Sequence, residues 1–458
     1  MKRLPQIFVF CILTACSTSV PEQVTKSYAN EGIGSLTLPP IQGFVGPALT
    51  SNLRANSDIA QDFLNLEFRL ENGRELPRLT RFDGPITVAM TGHIPGMAMA
   101  ELSQLITRFR REAGLDLRLA NPADNPSVVI EFLARAKLQR VVPLAACFVV
   151  PRVQSFAAYK SQRNSPVVDW VTVTRREHVI IFIPSDTSPQ EVRDCLHEEL
   201  AQAMGPLNDL YHLPDSVFND DNFNTVLTGF DMLMLRLHYA PELHNGMTKA
   251  ETARLLPSLL ARLNPAGEQS SGSYSDMASP SWIAAVQAAF GPRSSTAARH
   301  TASDRMLGIA LAAGWQDGKL AFSYYAKGRS VSVSDPAAAV LAFNKANQIY
   351  HSIPGAQVHT AHVDMQLAVI ALAAGQNQTA IALADGALPV MRSAQNAAMM
   401  ATLLLIKAQA LESAGQADAA AALRLDSLGL ARYGFGSAQQ IRARMAEIAA
   451  IGSRGQPG

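Results

Sequence analysis

The sequence lacks any long basic run, and its 39 Lys and Arg against 38 Asp and Glu leave a formal net charge of +1. A nucleic-acid partner needs a positive footprint to neutralise phosphates, so neither DNA nor RNA is an expected partner. The apolar run near the start, within residues 4–15, falls well short of the roughly 20 residues a membrane-spanning helix needs. No Ser-His-Asp ordering, nucleotide-binding loop or c-type haem motif is present. Cysteine is scarce, with Cys11, Cys16, Cys147 and Cys195 as the full set. At 458 residues the chain exceeds the roughly 250 to 300 that one core organises, so two domains are expected.

What is present begins with MKRLPQIFVFCILTAC, in which Lys2 and Arg3 precede an apolar stretch ending Leu13-Thr14-Ala15-Cys16. This reads as a signal peptide over residues 1–16. Leu-x-Ala-Cys resembles the bacterial lipobox, and that resemblance implies cleavage before Cys16 and a lipid on its thiol. Ser17 in the next position resembles the default for an outer-membrane lipoprotein facing the periplasm. Cys11 leaves with the signal and Cys16 takes lipid, which leaves Cys147 and Cys195. In an oxidising envelope the two remaining thiols either pair or stay as buried free cysteines, and pairing is the expectation.

Residues 17–55, rich in Pro, Gly, Ser and Thr, read as a flexible tether. Residues 56–265 alternate strand and helix signals and form the first domain, of α+β class. Pro85–Met90 and Ser127–Ala134 read as strands, Ala100–Gly114 as a helix, and Trp170–Pro184 as a hairpin with RREH at its polar turn. Ser188-Pro189-Gln190-Glu191 is a capping box with Pro at the first helical position, so a helix starts there. Further start signals stand at Thr228–Asp231 and Thr248–Glu251.

Residues 266–281 are polar, Gly- and Ser-rich, and mark a linker. Residues 282–450 turn to Ala and Leu with no strand-like run, and 451–458 read as a disordered tail. Ala368–Leu388 and Ala408–Leu428 align Gly375-Gln376 over Gly415-Gln416, a period of roughly 40 residues, and Leu307–Phe322 carries the same Ala-Ala-Gly turn. Paired helices with Gly at the turn and small residues at crossings point to an all-α tetratricopeptide-like repeat; an irregular helical bundle is the alternative.

The helix opened at Ser188 carries CLHEELAQAMGPLND, Cys195 to Asp209. A zincin helix needs histidines at i and i+4 with a Glu beside the first, and from His197 that register fails at Ala201. Shifted by one, Glu198-Glu199-x-x-Gln202-x-x-Gly205-x-x-Asn208-Asp209 matches the metzincin pattern position by position, with an oxygen donor wherever that pattern has a histidine. Glu198, Gln202 and Asn208 therefore occupy the zinc-ligand positions, and Glu199 the general-base position. One carboxylate and two amides suit calcium, magnesium or no metal rather than zinc, and without zinc Glu199 has no metal-bound water to deprotonate. No cofactor is expected.

Ser216-Val217-Phe218 falls where metzincins have their methionine turn, and Leu227–Tyr239 resembles the helix that follows it. With EELAQAMGPLND and SVFND, residues 56–265 resemble the bacterial lipoprotein family catalogued as domain of unknown function 2927, which supplies no chemistry to carry over. The blander reading of Glu198, Glu199 and Gln202 is a solvated helix face. His197 is expected to pack or hydrogen-bond rather than ligate, and His212 is a remote candidate ligand. Asn219, Asp220, Asp221 and Asn222 are expected to form turns, since no EF-hand pattern is completed around them.

Three functions follow from this reading. The first is a non-catalytic envelope module, anchored by lipid, whose helical repeats bind a protein or peptide. The second is an atypical metal-dependent peptidase or hydrolase with Glu199 as general base. The third is a structural spacer in an envelope assembly.

Overall fold

The computed structural model describes residues 40–41, 44, 54–143, 145–269, 272, 277–291 and 294–453. Cys16, the signal peptide and most of the tether lie outside the described residues. The chain divides into two compact units, the first comprising Pro47–Thr187 and Glu191–Ala278, the second Ser188–Gln190 and Ser279–Gly458.

The first unit opens with helix α1, Asn56–Glu67. A five-stranded sheet follows, built from β1 (Ile86–Gly92), β2 (Leu117–Leu119), β3 (Val128–Leu133), β4 (Phe148–Pro151) and β5 (Val179–Pro184) in the order β2-β1-β3-β5-β4. The β1–β2, β1–β3 and β3–β5 pairs are parallel, and the edge strand β4 runs antiparallel to β5. VVIEFL and VIIFIP, the two central strands β3 and β5, read as near-continuous apolar runs because both of their faces are covered. Helix α2 (Ala98–Arg108) links β1 to β2 and continues as a π-turn over Phe109–Ala113. The expected strands at Pro85–Met90 and Ser127–Ala134 and the helix at Ala100–Gly114 are thus present.

The expected hairpin over Trp170–Pro184 does not form. Trp170–Thr172 is a single 3₁₀ turn, only Val179–Pro184 is strand, and its antiparallel partner is FVVP of β4, on the far side of helix α4. Short helices α3 (Arg135–Gln139) and α4 (Phe156–Gln162) flank β4. The physical reason lies in RREH: Arg176 is buried and bonded to distant carbonyls, so this segment cannot serve as a solvated turn. Phe156, Tyr159 and Phe182 pack with Phe148 around β4 and β5, with ring centroids 5.1 Å apart for Phe148 and Phe182. Cys147, just before β4, is disulfide-bonded to Cys195, with Cα atoms 6.0 Å apart.

Cys195 sits on α5, Pro189–Met204, the helix expected from the Ser188 box. Helices α6 (Gly229–His238) and α7 (Lys249–Leu263) each begin with a complete capping box, at Thr228 with Asp231 and at Thr248 with Glu251.

The second unit is helical throughout its described residues: α8 Pro280–Phe290, α9 Thr296–Ala312, α10 Gly318–Val331, α11 Pro336–His351, α12 Gln357–Ala373, α13 Asn377–Ser393, α14 Ala397–Ser413, α15 Ala417–Phe435 and α16 Ala438–Gly452. Consecutive helices pack as hairpins, and alternate ones meet as well, α12 on α14 and α14 on α16. Gly375 and Gly415 close α12 and α14 in the left-handed region, with φ of 70° and 81°. Gln376 N–H reaches Ala371 O at 2.8 Å and Gly375 N–H reaches Leu372 O at 3.1 Å, the paired bonds of a Schellman stop. The same pair recurs at Gly415-Gln416, at Gly314-Trp315 and, with a non-glycine residue, at Gln395-Asn396. Small residues mark the close crossings: a Cβ on Gly328 would stand 2.7 Å from the Phe343 ring, and one on Gly434 would stand 2.5 Å from the Ala398 backbone. Among the described residues no helix is long and apolar enough to cross a membrane.

Candidate functional site

Helix α5 is enclosed almost all round, which removes the solvated-face reading of its polar residues. Glu199 is 0 % exposed, Gln202 2 % and Asn208 4 %, while Glu198 is half-buried. A helix end inside a protein needs partners for its last carbonyls. Here Arg176 supplies them: Nη1 donates to Gln202 O and Ala203 O at 2.7 Å each, and Nη2 donates to Gly205 O at 2.5 Å. A cation at the negative end of the helix dipole is favourable as well. Tyr239 adds a hydroxyl bond to Met204 O at 3.0 Å.

Gly205 ends the helix for reasons of space. A Cβ there would stand 2.9 Å from His238 Nδ1 and 3.0 Å from Glu67 Oε1, two buried side chains whose Nδ1 and Oε2 lie 2.9 Å apart. Beyond it the chain runs along α1, with Leu207 N–H on Leu66 O at 3.0 Å and Asn208 Nδ2 on Asn65 O at 3.0 Å. Asn208 thus spends its amide nitrogen on the scaffold.

His197 and His212, the two histidines the sequence raised, are each engaged by other groups. His197 accepts the Leu227 N–H at its Nδ1, 3.1 Å away, and burial, aided by Arg193 and Arg108, holds its pKa well below the usual imidazole range. It is a neutral hydrogen-bonding residue. His212 Nε2 lies 2.7 Å from Asp62 Oδ1 on α1, and Arg54 binds the other Asp62 oxygen at 2.8 Å. Residues 219–222 form turns: Asp221 N–H bonds to Asn219 Oδ1, Phe223 N–H bonds to Asp221 Oδ1, and Asn222 is left-handed at φ 59°.

Ser216-Val217-Phe218 is a buried turn tied to α6 by one carboxylate. Asp231 accepts from Ser216 Oγ at 2.5 Å, from Val217 N–H at 3.2 Å and from Thr228 N–H at 2.7 Å. Burial nonetheless pushes its pKa up to about 6, against the pull of these bonds. The capping residue therefore also fastens the turn in the methionine-turn position.

The main electrostatic feature is a group of carboxyls. Glu71 sits in a tight turn closed by Leu70 N–H on Arg74 O at 2.9 Å and flanked by the Arg69–Glu75 bridge. Asp209, Asp220, Glu198 and Glu199 act electrostatically on its carboxyl. Burial first, and the other carboxyls second, raise the pKa values of Glu71, Glu198, Glu199 and Asp209 well above the carboxylate range. Asp220 rises to about 7 through burial, although the Tyr211 hydroxyl donates to it at 2.5 Å. Neither oxygen of Glu199 has a hydrogen-bond partner.

These donors do not fit zinc, which prefers imidazole and thiolate. Among the described residues no group of three or more His, Cys, Asp or Glu side chains is arranged to hold a metal ion.

Arg176, Glu71, Asp62 and Glu67 were not singled out by the sequence. Asp62 and Glu67 had a readable signal, since they stand at i+3 from Ile59 and i+4 from Phe63 and so fall on the buried face of α1. Arg176 and Glu71 come from loops and carry none. No curated protein and no solved structure matches the chain. Residues 56–258 match the family model described as "Protein of unknown function (DUF2927)". The first unit is therefore a domain of that family.

Proposed function

We propose that the chain is a membrane-anchored envelope lipoprotein whose first domain is a metzincin-like module without metzincin chemistry, and whose helical repeats bind a protein or peptide. The observation that carries the reading is Glu199. A general base must reach a water or a substrate proton, whereas Glu199 is 0 % exposed, bonded to nothing and driven toward its neutral form. The three positions that resemble zinc ligands hold Glu198, Gln202 and Asn208, and His197 and His212 are engaged elsewhere.

The order of elements supports the metzincin-like part: strand β1, helix α2, strand β3, the antiparallel pair β4 and β5, the motif helix α5, the buried turn at Ser216 and the capped helix α6. The stacked hairpins of the second unit support the binding part, because such stacks present extended surfaces to peptides. Lipid anchoring, periplasmic exposure and outer-membrane residence rest on Leu13-Thr14-Ala15-Cys16-Ser17.

Elemental analysis of protein purified without chelator, with a peptidase assay on wild type and Glu199→Ala, tests the chemistry. The expected result is no stoichiometric zinc and no Glu199-dependent cleavage; either one would establish the hydrolase instead. Cys16→Ala should move the protein from the membrane to the soluble periplasmic fraction, and unchanged fractionation would remove the anchor.

A further inference from the structure

The helical unit carries a groove along α13. Asp385, Leu388, Pro389, Arg392 and Ser393 line a cavity of about 380 Å³, at the lower end of the roughly 300 to 1,000 Å³ of ligand pockets. Their spacing of three or four residues puts them on one helix face. All but the half-buried Leu388 are exposed, so the groove opens to solvent. Leu388 and Pro389 give it an apolar floor. Its one carboxylate is already matched, since Lys407 Nζ on α14 lies 2.6 Å from Asp385 Oδ1. Arg392 is not matched: among the described residues its guanidinium has no acceptor, and the Ser393 hydroxyl has no partner either. Pro389 has no N–H, so the Asp385 carbonyl lacks its helical donor.

In the register set by the stops at Gly375 and Gly415, Ser393 corresponds to Tyr433 on α15. There the chain itself shows what can lie along such a face. Phe44, a residue of the helical unit outside any helix or strand, meets Tyr433 edge to face, with ring centroids 6.2 Å apart. A non-helical segment thus packs on α15 at the position that α13 leaves exposed. The unmatched charge sets the chemistry of an occupant on α13, because a guanidinium offers a carboxylate two parallel N–H bonds. We propose that the α13 groove binds an extended acidic peptide segment, an Asp or Glu carboxylate pairing with Arg392 while the peptide backbone lies over Leu388 and Pro389. The inference rests on the peptide-binding reading above; it places the site and adds a chemical preference.

The test pans a phage library of random heptapeptides against the full-length protein, as wild type and as Arg392→Glu. Wild type should enrich Asp and Glu over the unselected library, and Arg392→Glu should lose that enrichment. A labelled synthetic copy of the best wild-type peptide should bind Arg392→Glu at least about tenfold more weakly in fluorescence anisotropy. Replacing its acidic residue by the matching amide should weaken binding to wild type and not to the variant. The same charge reversal at Arg442, an exposed arginine of α16 that does not line the groove, should leave binding unchanged. Arg392 is exposed and unpaired, so Arg392→Glu should keep the wild-type melting temperature, and lost binding cannot be assigned to unfolding. Peptides retained without acidic enrichment sink this inference and leave the peptide-binding reading intact. So does an acidic preference that survives Arg392→Glu or falls equally with Arg442→Glu. No retained peptide sinks both.

Discussion

The two units hold themselves together in different ways. In the second, the buried side chains are mostly Ala, Leu and Met, and the same Schellman stop recurs at the ends of α9, α12, α13 and α14. In the first, the interior around α5 holds Arg176, Glu67, His238, Asp62, Glu199 and Asp231, all under 9 % exposed. One unit repeats a local solution; the other depends on single, non-repeated long-range bonds. A buried charge stabilises only while its partner is present, so damage in the first unit should be larger and more position-specific than in the second.

The disulfide should show the largest effect. Cys147 and Cys195 close a loop of 48 residues between the edge of the sheet and the motif helix. Replacing both with Ser should cost the first unit about 4 kcal/mol on a chain-entropy estimate. In calorimetry the transition of the first unit should fall while that of the helical unit stays where it was. A common shift of both transitions would erase the contrast between the units.

Arg176→Met comes next. It keeps much of the volume but leaves the carbonyls of Gln202, Ala203 and Gly205 without their shared donor, and about 3 kcal/mol of stability should go. Circular dichroism with urea unfolding reads the loss, and a change under about 0.5 kcal/mol would mean that water replaces the guanidinium.

These two predictions also mark what could be read in the sequence. The α5 start at Ser188, the capping boxes at Thr228 and Thr248 and the glycine stops at Gly375 and Gly415 were legible because each is decided within four or five residues. The pair Cys147 and Cys195 was legible by elimination. The β4–β5 pairing was not, because FVVP is four residues long and its partner lies beyond an intervening helix. Arg176 and Glu71 were illegible for a related reason. Each acts on α5 from a loop far off in sequence, and no local pattern separates a buried loop charge from a solvated one. The motif residues themselves were readable as positions, whereas their burial and the carboxyls gathered around them were not.

A pH profile sharpens the comparison further. Asp220 and Asp231 are held at about 7 and about 6 in the folded chain, against 3.8 for an ordinary Asp. The native state therefore keeps protons that the unfolded chain releases, and stability falls with rising pH wherever that holds. Their contribution is fully present below about pH 4 and is lost as pH rises through 6 and 7. Asp220→Asn should match wild type near pH 4 and melt higher from there upward, with the gap levelling off above pH 7. Melting curves that stay parallel across this range would show that Asp220 is charged throughout.

The smallest effects belong to the repeated turns, where the chain has made its own comparison. Gly415 and Gln395 stand at the same position of the same Schellman stop, with φ of 81° and 56°. A Cβ on Gly415 would meet nothing within 4 Å, so Gly415→Ala should cost only the left-handed backbone penalty, about 1 kcal/mol. Gln395 already carries that penalty, and Gln395→Gly should return about 0.5 kcal/mol of it, the remainder being offset by the greater freedom of glycine in the unfolded chain and by removal of the glutamine side chain. Opposite signs at equivalent turns, read as shifts of a degree or two to a few degrees in the helical transition, are the signature of stability set locally and repeat by repeat. Equal signs would mean that the turn at Gln395 is held by its side chain, and that the second unit too relies on single interactions.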